Sequence, residues 1–201
     1  DMLKTLEEPA AQVILGLTAE SAERLLPTIV SRCEVLGLRS LPLEDVSQWL
    51  QSQHQLPFEQ AELLAHISVG RPGYALHLLT EPEHLEKRQV WLDEHARLLA
   101  ANRVERFSYV ETLAKDKDAF RTALMVWLTY WRDVLMQSAG ASAPLANLDR
   151  GAEIQALAER LDLPEVHRIV ISLERTLDLL DQNVNARLAA EVLMLDLPRT
   201  M

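Results

Sequence analysis

The sequence predicts a mainly α protein, and three observations carry that expectation. Leu, Ala and Glu dominate the 201 residues while glycine occurs only six times, a composition of good helix formers. From Glu81 onward, apolar residues recur at helical spacing almost without interruption. Apolar side chains make up 48% of the chain, enough for one or two domains with real cores and too many for a disordered chain.

The first 40 residues read differently. Residues 2 to 8 have the character of a helix end, stopped by Pro9. The run "QVILGL", residues 12 to 17, is short and continuously apolar, as expected of a strand buried on both faces. "TAESAERLL" then reads as a short helix capped by Thr18 or Ser21, with Glu20 and Glu23 near its start. "SRCEVLGL", residues 31 to 38, resumes as a second short strand. The segment therefore resembles the tail of an α/β domain, and the start at "DMLKTLEEP", without an initiator-like residue, suggests a fragment.

Pro42 opens a unit of three short helices over residues 41–80. Leu43, Val46, Trp49 and Leu50 repeat at helical period until Pro57 interrupts. "FEQAELLAHIS" follows, ended by Gly70 as a C-terminal cap, and "RPGYALHLL" begins a third helix with Pro72 in its first turn. Further helices are expected at 83–101, 103–114, 116–138, 150–162, 164–182 and 185–196. The clearest is "PEVHRIVISLERTLDLLDQN", whose Val166, Ile169, Val170, Leu173, Leu177 and Leu180 form one stripe.

Several function classes are disfavoured at once. A net charge of −10 argues against broad, sequence-independent DNA binding by this chain alone, because such binding rests on neutralising phosphates. Cys33 is the single cysteine, so no internal disulfide and no cysteine-based zinc site can form, which fits a reducing cytosol. No signal-peptide pattern is read in these residues, and the longest strongly apolar stretch, "ALMVWLTYW", is too short to span a bilayer. Neither G-x-x-x-x-G-K-[ST] nor G-x-G-x-x-G occurs, so the usual nucleotide cradle is missing. His54, His66, His77, His84, His95 and His167 never fall into H-x-x-x-H or H-E-x-x-H spacing; they read as helix-surface or half-buried residues, and no metal site is expected. Glu7 and Glu8 could serve as acid and base, but such a pair is more often a solvated helix end. Trp127, Tyr130 and Trp131 could stack on bases, although helical spacing in an apolar segment makes them core.

Arg32 stands out. It sits between the apolar run Leu25–Val30 and the apolar positions Cys33, Val35 and Leu36. One reading is a strand-edge arginine whose head reaches water. The other is a planar guanidinium presented at a domain edge toward a phosphate held by another subunit. The residues alone leave both readings open.

The order and spacing of "LKTLEEP", "VILGLT" and "LLPTIVSRC" resemble the bacterial clamp-loader AAA+ subunits of the DNA polymerase III holoenzyme. "GRPGYAL" (70–76) and "NVNARLAAEVLML" (183–195) are similar to the lid and the last collar helix of the delta-prime branch. The first block is highly specific; the collar part is mostly a helical pattern. The resemblance implies the C-terminal part of an α/β AAA+ module over 1–40, a three-helix lid over 41–80 and a helical collar that joins subunits into a ring over 81–201. It also implies that Ser31, Arg32 and Cys33 are the arginine-finger motif, with Arg32 acting in trans, and that Thr18 stands at the sensor 1 position. A sensor 2 arginine would fall where Gly73 stands, which favours a subunit that does not hydrolyse ATP over the gamma/tau motor. ATP-Mg would then be bound by a neighbouring subunit and not by this chain. The implied partners are gamma/tau and delta, with the sliding clamp and primed DNA met through the complex, in the cytoplasm and away from membranes.

Overall fold

Helix is the only regular structure among the described residues of the computed structural model, which are 6, 12–19, 21–182 and 184–199. The chain divides into two compact units, Asp1–Arg39 and Ser40–Met201.

Over residues 21–39 the first unit holds one 3₁₀ turn, Ala22–Arg24, and one short helix, α1 (Pro27–Val30). The helix expected over 18–26 shrinks to that single turn. Ser21 is extended and makes no side-chain cap. Pro27 disfavours helical geometry at the residue before it, and Leu26 accordingly lies at φ −61°, ψ 133°. The two strands expected at 12–17 and 31–38 are not formed among the described residues. A strand needs a backbone neighbour to pair its amides and carbonyls, and a short apolar run does not by itself reveal whether one is there. Ile14 is 97% exposed and Leu38 99%. The helix end read over 2–8 lies outside the described residues except at Leu6, which is helical.

The second unit contains α2 (Leu43–His54), α3 (Phe58–Ile67), α4 (Pro72–Thr80), α5 (Glu83–Ala100), α6 (Arg103–Leu113), α7 (Lys117–Ser138), α8 (Gly151–Arg160), α9 (Leu163–Asp181) and α10 (Ala186–Asp196), with a 3₁₀ turn at Leu148–Arg150. Local chemistry explains where several of these begin. The Asn102 side chain accepts from the amides of Val104 (2.9 Å) and Glu105 (3.1 Å), while the Glu105 carboxylate accepts from the Asn102 amide, closing a capping box. Asp116, Asp162 and Asn185 cap α7, α9 and α10 in the same sense. Between α3 and α4 the chain turns through two left-handed residues, Val69 (φ 52°) and Gly70 (φ 70°). A Cβ on Gly70 would stand 2.1 Å from the Leu41 carbonyl oxygen, so only glycine lets the two backbones approach and lets Leu41 donate to the Gly70 carbonyl.

Two hydrophobic clusters organise the unit. Val46, Leu50, Ala61, Leu64, Ala65, Ala75 and Leu78 close the core of α2–α4. The larger cluster is centred on α7, which packs against α5, α8 and α9. Trp127 and Trp131 are fully buried in it, and every residue of the predicted α9 stripe is buried. The base-stacking reading of the Trp127–Trp131 segment is thereby removed. The indole of Trp127 donates to the Trp91 carbonyl and that of Trp131 to His95 Nε2 (2.9 Å each).

His95 is the histidine that departs from the surface reading: it is 1% exposed. Burial, and then the charge of Arg106, lowers its pKa from 6.5 to about 3. The unfolded chain therefore takes up a proton that the folded chain refuses. Stability is full above the unfolded value and falls as pH drops below 6.5, by up to about 1.4 kcal/mol per pH unit. We expect the urea midpoint to decline between pH 7 and 5, and His95→Gln, which keeps an acceptor for Trp131, to flatten that decline. An unchanged slope in the variant would disprove the assignment.

Candidate functional site: the Ser31–Cys33 turn and its groove

Pro27 sets the start of α1 with a φ already suited to a helix. The helix tightens as it ends. Ser31 N donates to the Pro27 carbonyl (2.9 Å), and Arg32 N and Cys33 N then bond three residues back, to Ile29 (3.0 Å) and Val30 (3.2 Å). Arg32 is thus presented by the turn that closes a helix, not by a strand edge. Its side chain is exposed and folds back along α1, with Nη1 donating to the Thr28 carbonyl (2.9 Å) and to Ser31 Oγ (3.3 Å). Ser31 Oγ lies 3.4 Å from the same carbonyl. A guanidinium at the carbonyl end of a helix is favourably placed, and its planar fork, held at the surface, has the shape to meet a phosphate.

The other two predicted residues face elsewhere. Thr18, exposed, and Cys33, half-buried, line one groove of about 360 Å³ whose walls are mainly apolar, including Leu17, Leu25, Ile29 and Leu36. Ser31 and Arg32 are not part of that lining. The motif therefore splits: Cys33 turns toward the groove and Thr18, while Arg32 lies along α1. Gly73, in the first turn of α4, is exposed, and a Cβ built there meets nothing within 4 Å. The absence of an arginine side chain at this position is a matter of sequence, not of space. Glu7 and Glu8 lie outside the described residues.

Sequence reasoning overlooked the buried charges of the second unit. Arg106, 5% exposed, donates to five main-chain carbonyls: Leu98, Leu99, Met194, Leu197 and Pro198, at 2.7 to 3.3 Å. It ties the end of α5 to the end of α10. Arg88, also 5% exposed, grips both oxygens of Asp149 (2.7 and 2.8 Å) and Asn147 Oδ1 (2.7 Å), while Asp133 accepts from Asn147 and the Ala146 amide. Burial pushes the Asp149 carboxyl up, but the Arg88 hydrogen bonds and charge outweigh it and the net direction is down. These networks hold helices together. The only available signal was an arginine interrupting an otherwise apolar helix face, as at Arg106 next to Phe107 and Val110.

Against known proteins, residues 1–42 match a family described as DNA polymerase III, delta subunit, and residues 82–198 match one described as DNA polymerase III, delta subunit, C terminal. The chain is similar to DNA polymerase III subunit delta' of Haemophilus influenzae, 38% identical over 92 residues, covering 45% of this chain and 28% of that protein. The subunit of the same name from Escherichia coli is 30% identical over 172 residues, covering 84% and 49%. That from Bacillus subtilis is 27% identical over 198 residues, covering 96% and 59%. The chain thus spans from about a quarter to three-fifths of the length of these curated relatives. Since the second family match alone takes in more than half of its residues, the chain belongs to the DNA polymerase III delta-subunit family, and its similarity runs to the delta-prime subunits.

Proposed function

We propose that this chain is the delta-prime-like subunit of a DNA polymerase III clamp loader, acting as a non-hydrolysing stator. Residues 1–40 belong to its AAA+ module, 41–80 to the lid and 81–201 to the collar that meets the other subunits. Arg32 serves as an arginine finger completing the ATP-Mg site of a neighbouring gamma/tau subunit, with Ser31 and Cys33 as its motif neighbours and Thr18 at the sensor 1 position. Delta is the other partner, and the assembly places the sliding clamp on primed DNA in the cytoplasm. The observation that carries the reading is the exposed Arg32 at the end of α1, inside the segment matched to the family.

A gamma/tau-like ATPase is the alternative within the same assembly. Gly73 argues against it, since an open, exposed glycine supplies no cation to a bound nucleotide. A fluorescent ATP analogue titrated into the chain is expected to show no saturable binding in the low micromolar range. Such binding would overturn the stator reading and favour the motor one.

A further inference from the structure

α4 ends at Thr80, and α5 starts at Glu83 after Pro82. Three side chains meet across this joint. Glu81 Oε2 lies 2.9 Å from His84 Nε2, and Glu81 Oε1 lies 3.4 Å from His77 Nδ1. The two imidazole rings stand 4.4 Å apart, tilted by 43°. One donor atom from each of the three residues falls within 4.8 Å of the others. We propose that His77, Glu81 and His84 form a binding site for a divalent transition-metal ion of the zinc class.

The donor set is chemically apt. Two imidazoles and one carboxylate suit zinc, copper or nickel far better than magnesium or calcium, which prefer oxygen throughout. Tetrahedral zinc with bonds of about 2.0–2.1 Å separates its ligand atoms by roughly 3.3 Å. The two imidazoles approach different oxygens of Glu81, and one donor atom of each residue lies within 4.8 Å of the others, so side-chain rotations bring the three to that spacing around an ion. The three ligands lie within eight residues of sequence, on segments already held in place. The Glu81 amide bonds the His77 carbonyl (3.0 Å), and the His84 amide bonds the Glu81 carbonyl (3.1 Å). Ordering the ligands therefore costs little further backbone entropy. All three side chains are partly exposed, 40% to 58%, which gives an ion an entry path and leaves a fourth position for water. The pattern H-x-x-x-E-x-x-H escapes the usual motifs because the helix breaks within it; the turn at Glu81 and Pro82 brings the ligands together. A bound ion would clamp α4 to α5 at their joint.

The test uses the 201-residue chain with the metal alone. Co²⁺ titration followed by visible absorption, and Zn²⁺ titration calorimetry, are expected to show one equivalent bound in a tetrahedral or five-coordinate environment. Zn²⁺ is expected to raise the Tm, as any ligand of the folded state does. His77→Gln, Glu81→Gln and His84→Gln are each expected to weaken binding by about tenfold or more, since losing even a hydrogen bond that supports a ligand can cost that much. His54→Gln and His167→Gln are the controls and should bind as the parent chain does. Because the three ligand side chains are partly exposed, the variants should fold, with circular dichroism as the check. The proposal is overturned if no equivalent binds at millimolar Zn²⁺, if the triple variant binds and gains Tm like the parent, or if Co²⁺ gives a thiolate charge-transfer band, which would place the ion on Cys33.

Discussion

Arg32→Ala in the assembled clamp loader is expected to lower the DNA- and clamp-stimulated ATPase by about 10³-fold, the lower end of what an arginine finger contributes in GTPases. The clamp-loading rate should fall with it. The same substitution should barely affect folding. In its own subunit the Arg32 side chain is exposed and bonds the Thr28 carbonyl and Ser31 Oγ at the end of α1. A surface interaction of that kind contributes about 0.3–1 kcal/mol. The two effects are thus far enough apart to be separated. Arg32→Lys should recover only part of the activity, because an ammonium lacks the planar fork that grips two phosphate oxygens. Circular dichroism and gel filtration of the reconstituted complex are the controls. Normal assembly with full ATPase would make Arg32 a solvated surface residue. Failure to assemble would make its role structural.

Arg106→Met is expected to cost the fold about 3–5 kcal/mol, since each buried acceptor left without a partner costs about 1–3 kcal/mol. The substitution keeps volume and apolar contact but takes the guanidinium donors from five carbonyls at the ends of α5 and α10, of which that of Leu98 keeps a second donor in the Ala101 amide (3.2 Å). Against a typical total of about 5–15 kcal/mol, that is about a fifth or more of the stability of the unit. Arg106→Lys has three donors for the same five acceptors and should fall between the two. A suitable comparison is Arg132→Ala, which breaks a 2.7 Å pair with Glu174 whose side chains are both largely exposed. Pairs of that kind contribute about 0–1 kcal/mol. Urea unfolding of the three variants checks the ranking. If Arg106→Met and Arg132→Ala lose equal stability, the buried network does not carry the helix ends.

What was legible in the sequence is what depends on near neighbours along the chain. The helices from α2 to α10 lie within three residues of where periodicity, proline and glycine placed them, because caps and stripes act over one or two turns. The α9 stripe and the Trp127–Trp131 core followed from spacing alone. The Ser31-Arg32-Cys33 motif was legible in another way, through resemblance to a family, and nothing in its spacing distinguishes a finger from a solvated arginine.

Tertiary structure decided the rest, for one physical reason: partners distant in sequence set the cost of burying a polar group or pairing a strand. Arg106 goes inside because carbonyls some 90 residues away complete its donors, and Arg88 because Asn147 and Asp149 arrive from the loop and turn after α7. His95 is held neutral by burial and by the charge of Arg106, and the Trp131 indole satisfies its Nε2. The apolar runs at 12–17 and 31–38 form no strand among the described residues, since a strand needs a paired neighbour and apolar sequence alone does not supply one. Arg32 accordingly ends a helical turn, where its guanidinium meets a carbonyl instead of a strand edge.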